Sequence, residues 1–226
     1  MDNIPNKLYK YLPSRYVPQL LNQGNLLFRN LSYFRQYEDS IRGDMNEGIH
    51  IDHPDNPVRL QSLDGKIDIS ANFAFHNAIT QDGIFVFCLS LRLGEDLFVE
   101  FQADECIEIF DVPRFLSQIR KALIKKPAIN KYGLLARAVD YYQPNQAVNK
   151  SIKEPKNIPF FKHAHFSHQD EFRLVCGEKN AFKIRTTIID VRIYDIREDV
   201  QKGVPHERIL KIGEMLDYAR IITPNK

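Results

Sequence analysis

The chain reads as an α+β protein, built mostly of antiparallel sheet with one helical insertion. Three observations predict this. Short apolar or alternating runs of strand length recur at both ends, and Ile84–Leu91 (IFVFCLSL) is the clearest of them. The strongest helical periodicity is confined to the middle, between Val112 and Gln143. Neither a phosphate-loop glycine pattern nor a GxGxxG fingerprint is present to set up a nucleotide-binding βαβ unit, and there is no GxSxG elbow.

The totals bound the reading. With 226 residues, 43% hydrophobic and 27% charged, the chain can bury a core as a single domain spanning 1–226. Disorder and a disulfide scaffold are excluded by composition: only three cysteines occur, far apart and odd in number. Cys88, Cys106 and Cys176 sit in apolar strand-like runs and read as buried thiols. There is no apolar run of about 18 residues, so no membrane association is expected. The start, Met1-Asp2-Asn3-Ile4-Pro5, lacks the pattern of a signal peptide, and a cytoplasmic location is the expectation.

Taken in order, Lys7–Tyr11 alternates as a short strand. Pro13 leads into a helix over Val17–Gln23, stopped by Gly24. Leu26–Phe28 is a second strand. The polar stretch Asn30–Pro57 has no clear period, and connections this long tend to be functional or mobile. After the Ile84–Leu91 strand, Leu97–Gln102 and Cys106–Phe110 read as a hairpin. Asp111 can cap a helix that has Pro113 in its first turn and runs to Lys126, with Leu116, Ile119, Leu123 and Ile124 on one face. A second helix is expected over Tyr132–Tyr142. Glu171–Cys176, Ala181–Arg185 and Ile188–Ile196 are strand-like, and the tail from His206 is ambiguous between helix and strand.

Three stretches carry candidate chemistry. The first is Tyr33-Phe34-Arg35-Gln36-Tyr37-Glu38-Asp39, where aromatic faces suit a nicotinamide or adenine ring and arginine suits a pyrophosphate. The alternative is a loop tied by its own ion pairs. In the second, Gln169-Asp170-Glu171-Phe172-Arg173, strand alternation would put Gln169, Glu171 and Arg173 together on one face. They would point into a cleft, or simply form an exposed pair of little energetic worth. The third, Asn149–His168, carries Lys150, Lys153, Lys156 and Lys162, three histidines and one acid, Glu154, interleaved with Phe160, Phe161 and Phe166. Such a stretch can hold a nucleic-acid strand by phosphate contact and stacking, or it can be a solvated loop whose phenylalanines plug the core. Two histidine groups, His50/His53 beside Asp52 and Asp55, and His163/His165/His168, lack a complete local ligand set, so no metal is assigned.

The stretches LYKYLP, LLFRNLSYFRQYED and HQDEFRLV resemble a widespread bacterial family of unknown function. Its members share a Tyr-Lys-Tyr-like start, a Phe-x-x-x-x-Glu/Asp stretch and a Glu-x-Arg strand. The plan also resembles the ADP-ribosyltransferase fold, which includes toxins and phage-defence proteins acting on DNA or RNA. The likeness covers roughly the first fifty residues and Phe166–Cys176. It implies NAD as the cofactor, with Gln169-Asp170-Glu171 as its Gln-x-Glu element. Ser90 would stand for the serine element, the usual Ser-Thr-Ser being absent. On this resemblance Glu171 is the catalytic carboxylate and Gln169 orients the acceptor. Arg29 or Arg35 binds the pyrophosphate, and Tyr33 or Tyr37 stacks on nicotinamide. Lys156, Phe160, Lys162 and Arg173 present a nucleic-acid acceptor, a protein acceptor being equally compatible with these residues, and an antitoxin or inhibitor protein is an expected partner.

Two other readings compete. One is a metal-dependent nuclease using Asp44, Glu47, His50 and His53 with Asp170 or Glu171. The other is a non-enzymatic module that grips nucleic acid or protein. The transferase reading expects Glu171→Gln to abolish function with little change in stability, whereas the binding module expects it to be silent.

Overall fold

The computed structural model describes residues 4–36, 48–52, 56–143, 154–190 and 203–223. Its organising strand is the one most legible in the sequence. β7 (Ile84–Ser90) is buried at every position but Cys88, which is half-buried. Six of its seven residues could face apolar surroundings on either side of a sheet, and both sides are covered. One edge of β7 pairs along its whole length with β12 (Glu171–Gly177). The other edge is shared: β2 (Asn25–Asn30) takes Phe85 and Val86, and β1 (Leu8–Leu12) takes Ser90.

From these four strands the sheet spreads to eight. β8 (Glu105–Ile109) adds to β1 and β15 (Ala219–Ile222) to β8, while β14 (Glu207–Lys211) adds to β2 and β9 (Leu135–Ala138) to β12. Every one of these pairings is antiparallel. The ambiguous C-terminal tail thus resolves into two strands, placed on sheet edges that β2 and β8 would otherwise leave unpaired.

Alternation sorts the side chains onto two faces. Phe85, Phe87 and Leu89 join Leu8, Leu26, Phe28, Phe172 and Leu174 under α1 (Val17–Leu21) and α4 (Val112–Ile124). The opposite face receives Ile84, Val86 and Val175, packed against Leu31 of α2 (Leu31–Gln36) and against Ile158, Phe160, Ala181 and Phe182. At its far end Tyr9, Tyr11 and Cys106 meet Leu97 and Phe98 of α3 (Glu95–Glu100).

α4 follows its sequence signals closely. Asp111 accepts a hydrogen bond from the Arg114 amide at 3.0 Å, and Val112, Phe115, Leu116, Ile119 and Leu123 are buried. Ile124, expected on that face, is 72% exposed. One further residue rotates it about 100° past Leu123, off the buried stripe. Gly24 ends the first helical stretch with φ +61°, as its position suggested.

Two expected elements differ in kind, and the strand expected over Ala181–Arg185 starts only at Ile184, Ala181–Lys183 being irregular. Leu97–Glu100 lies in a helix and Phe101–Gln102 in the turn after it, rather than in a hairpin strand: Gly94 precedes α3, and Glu95 and Asp96 favour its first turn. The tertiary gain is Phe98 set edge-on to Tyr11 at 5.0 Å between ring centroids. Tyr132–Tyr142 is not helical but contains β9 and β10 (Asp140–Tyr142). β12 has an edge to satisfy, and Leu135–Ala138 pairs with Phe172–Val175. The helical insertion therefore reduces to α4 alone.

Smaller sheets flank this frame: β13 (Ile184–Asp190), β6 (Ala74–Ile79) and β3 (Ile49–Asp52) form one, and β4 (Val58–Gln61) and β5 (Asp68–Ala71) another. β10 pairs in parallel with β11 (Phe161–His163) over three residues. All three cysteines are unpaired thiols, and burial pushes those of Cys106 and Cys176 up to about 12.

Phe115→Ala should lower unfolding stability in urea by about 3–5 kcal/mol, since Phe115 is fully enclosed. Asp111→Ala should cost about 1 kcal/mol through the lost cap. A Phe115→Ala midpoint equal to wild type would remove α4 from the core.

Candidate functional site

β12 begins at Glu171, so its alternation puts Phe172 and Leu174 under the helices and Glu171 and Arg173 on the opposite face. Glu171 lies directly across from Ser90, and Arg173 across from Cys88. The Glu171 carboxylate accepts from Arg173 Nε at 2.7 Å and from Lys162 Nζ at 3.0 Å. Lys162 Nζ also donates to Gln169 Oε1 at 2.9 Å. Gln169 Nε2 in turn donates to Glu100 Oε1 at 2.8 Å, an oxygen that His168 Nε2 meets at the same distance. Arg173 Nη1 donates to the Pro159 carbonyl at 2.6 Å.

Gln169 belongs to a 3-10 turn (Ala164–Gln169), not to the strand, yet its amide reaches the ammonium that Glu171 holds. The turn is closed by Asp170 at φ +43°, whose carbonyl accepts from the Leu91 amide. That left-handed residue reverses the chain so that Gln169 and Glu171 converge.

Burial disfavours the charge on Glu171, but the Arg173 guanidinium, the Lys162 ammonium and hydrogen bonds from Arg173 and Cys88 outweigh it. The carboxyl is held well below its usual range. The Cys88 thiol beside it is pushed up, first by burial and then by the Glu171 charge. Tyr141 Oη accepts from the Glu171 amide at 2.8 Å, and burial raises that phenol.

Glu171 is one end of a polar row that crosses five strands. Register places Arg220 opposite Glu108, Glu108 opposite Tyr9, Tyr9 opposite Ser90 and Ser90 opposite Glu171. Directly opposed residues share a sheet face, so the row is continuous. Glu108 repeats the Glu171 arrangement: its carboxylate accepts from Lys7 Nζ at 2.7 Å, Arg220 Nε at 2.5 Å and Tyr9 Oη at 3.4 Å. Burial works against the Glu108 charge, and bonds from Lys7 and Arg220 bring its carboxyl below the usual range. Glu108 was not among the sequence candidates. Its partners lie 101 and 112 residues away, so no local pattern could announce them.

The other candidates separate. Arg29, half-buried on β2 and paired in register with Val86, shares the Glu171 face and lies over the Tyr33 ring at 4.0 Å. It is four residues along β7 from Ser90, roughly 13 Å. Arg35 is in the last turn of α2. Ser90 Oγ donates within the site, reaching the carbonyls of Gln169 at 2.8 Å and Arg92 at 3.1 Å. Tyr37, Asp44, Glu47, His53 and Asp55 lie outside the described residues.

The proposed acceptor set is overturned in large part. Phe160, Lys162 and Arg173 are 1%, 4% and 1% exposed, so none can meet a macromolecule at the surface. Phe160 completes the apolar cluster beneath β7, and the two cations neutralise Glu171. Lys156 is exposed and paired with Glu154 at 2.6 Å. The Glu171–Arg173 pair is likewise buried rather than displayed on an open face. Among the described residues no three His, Cys, Asp or Glu side chains converge as a metal-binding group, and no helix is long and apolar enough to cross a membrane.

No protein-family model matches the chain, and neither a curated protein nor a solved structure matches it.

Burial changes what Glu171→Gln should do. The substitution leaves two enclosed cations without their anion, and should cost about 3–5 kcal/mol in chemical denaturation rather than little. The sign with pH follows from the lowered carboxyl. The stabilisation is full above the ordinary value of 4.5 and is lost as pH falls toward the lower folded value. The wild-type advantage over Glu171→Gln should therefore shrink on acidification below about pH 4.5. A pH-independent difference would show that Glu171 is not an anion in the fold.

Proposed function

We propose that the chain is an NAD-dependent mono-ADP-ribosyltransferase acting on a nucleic acid, RNA or DNA, as an effector of the toxin or phage-defence kind. One observation carries the reading. The oxygens of Gln169 and Glu171 converge on a single positive centre, the Lys162 ammonium, at 2.9 and 3.0 Å. Breaking the nicotinamide–ribose bond builds positive charge on the ribose, and a carboxylate held ionised at neutral pH in a water-poor site stabilises such a charge where it develops. The Gln-x-Glu pair thus holds a cation of the kind the reaction would create.

The fit to NAD is conditional on one displacement. A ribose hydroxyl reaches Glu171 only after Lys162 turns out of the pair. Arg173 would then keep the carboxylate ionised and oriented by itself. Arg29, on the same face and displaced roughly 13 Å along β7 from Ser90, would meet the pyrophosphate, and Tyr33 beneath it a ring of the dinucleotide. When bound, NAD would supply the ADP-ribosyl group, its nicotinamide departing with the electron pair of the C–N bond. The acceptor's nucleophilic atom bonds to the anomeric carbon and gives up its proton to solvent.

The near-complete burial of Glu171 favours a second reading, in which Lys162, Glu171 and Arg173 form a purely structural clasp that fastens β11 to the sheet. The nuclease alternative loses Glu171 as a ligand, because its oxygens are already engaged by two cations.

Purified protein incubated with NAD labelled on the adenylate should transfer label to an RNA or DNA pool and not to protein. A chelator should leave that transfer unchanged. Arg29→Ala, at a half-buried position, should keep the wild-type melting profile while raising the KM for NAD at least tenfold. Absence of both label transfer and nicotinamide release from wild-type protein would leave the structural clasp as the reading.

A further inference from the structure

Between Asp111 and Asp140 the sequence contains no acidic residue and seven basic ones: Arg114, Arg120, Lys121, Lys125, Lys126, Lys131 and Arg137. This stretch carries a formal +7 in a chain whose total is +2. The structure neutralises two of the seven, Arg114 by Asp217 at 2.7 Å and Arg137 by Asp140. The other five are exposed and make no ion pair with any described residue. Arg120 and Lys121 lie in the last turns of α4, Lys125 caps it, Lys126 follows, and Lys131 lies in the connection to β9.

Helix stability does not account for this concentration. A cation near a helix C-terminus complements the macrodipole, but that effect is confined to the last turn. Lys121 and Lys125, four apart, repel one another. The apolar stripe of α4 is wholly committed to the core, so this face has only Ile124 to offer a lipid bilayer. An anionic membrane is therefore the poorer complement. The run from Arg120 to Lys126 spans roughly 9 Å at helical rise, which meets about three to four consecutive phosphates of one strand, and Lys131 adds a further cation.

We propose that the C-terminal end of α4 with Lys131 is a binding surface for the phosphodiester backbone of a nucleic acid. The surface lies on the opposite side of the sheet from Glu171, since α4 packs on Phe172 and Leu174 while Glu171 points away from them. It is distinct from the basic-aromatic stretch around Lys156 and stands without the transferase reading.

The test is fluorescence anisotropy of labelled 20-nucleotide single strands and duplexes, with no NAD present, as salt is raised from 50 to 200 mM. Binding should weaken on the order of 10²-fold, with a logarithmic slope of about −3 to −4, as expected for four or five phosphate contacts. A variant with Arg120, Lys121, Lys125 and Lys126 each changed to Gln should bind at least tenfold more weakly at 50 mM salt, with a slope near −1. A charge-matched control with Lys66, Lys179, Lys183 and Lys211 changed to Gln should bind within about twofold of wild type. All eight positions are exposed, and circular dichroism verifies that both variants are folded. The proposal is overturned by no oligonucleotide binding at 50 mM salt, or by equal weakening in both variants. It is also overturned by binding to phosphatidylserine vesicles without binding to oligonucleotides. Because no transfer is measured, failure here and failure of the ADP-ribosylation assay are read independently.

Discussion

A carboxylate removed from water must find its countercharge, and Glu171 finds two. The arrangement at its side chain ties several separate parts of the chain to β12. Arg173, two residues on in the same strand, reaches back to the Pro159 carbonyl, while Lys162 comes in from β11. The Gln169 amide extends the contact to Glu100 on α3. Removing any one charged member strands the others in a low-dielectric interior, where the penalty exceeds that of an exposed pair several-fold. The ions therefore act less as a source of stability than as a condition on which conformations are allowed.

That condition rests on β7. Only a strand apolar on both faces can serve β12 on one edge and both β1 and β2 on the other. Its last residue, Ser90, marks where the apolar run ends and the polar row begins. Arg220, Glu108, Tyr9, Ser90 and Glu171 come from five strands spread over the length of the chain, and each is aligned by backbone register alone. Two buried carboxylates, each between two cations, terminate or punctuate that row. One is nearly sealed by Lys162. The other is served by Lys7 and Arg220, whose side chains are 47% and 63% exposed, so Glu108 communicates with solvent through its partners. This difference in cover separates the two centres chemically although their ligand sets are alike.

The functional reading depends on the same geometry. In the proposed reading, an anion that stays ionised while shielded from water would stabilise a developing cation once Lys162 had turned aside. Charge also divides the molecule: compensated ions line one side of the sheet, and uncompensated ones gather at the end of α4 on the other.

The sequence by itself determined the local elements and the class. The apolar run of β7, the Asp111 cap with Pro113, the stop at Gly24 and the alternation of β12 are all written in neighbouring residues, where propensity and periodicity act. Gln169 and Glu171 stood out only through the resemblance of Gln169-Asp170-Glu171 to a Gln-x-Glu element, and strand alternation put Gln169 on β12, whereas it lies in the preceding turn. Only the tertiary structure decided that Tyr132–Tyr142 would be strand rather than helix, because the open edge of β12 offered hydrogen bonds that local preference could not anticipate. Likewise Lys162 and Phe160 lie in a stretch whose local composition looks solvent-facing, and Arg173 was as compatible with an exposed strand face as with a cleft. They are inside because Glu171 demands cations and β7 demands an apolar cover. Glu108 shows the limit most plainly: it sits in an apolar strand, and the groups that make its burial tolerable are a hundred residues away in either direction. Burial of charge depends on distant pairs, and a one-dimensional pattern has no means of recording them.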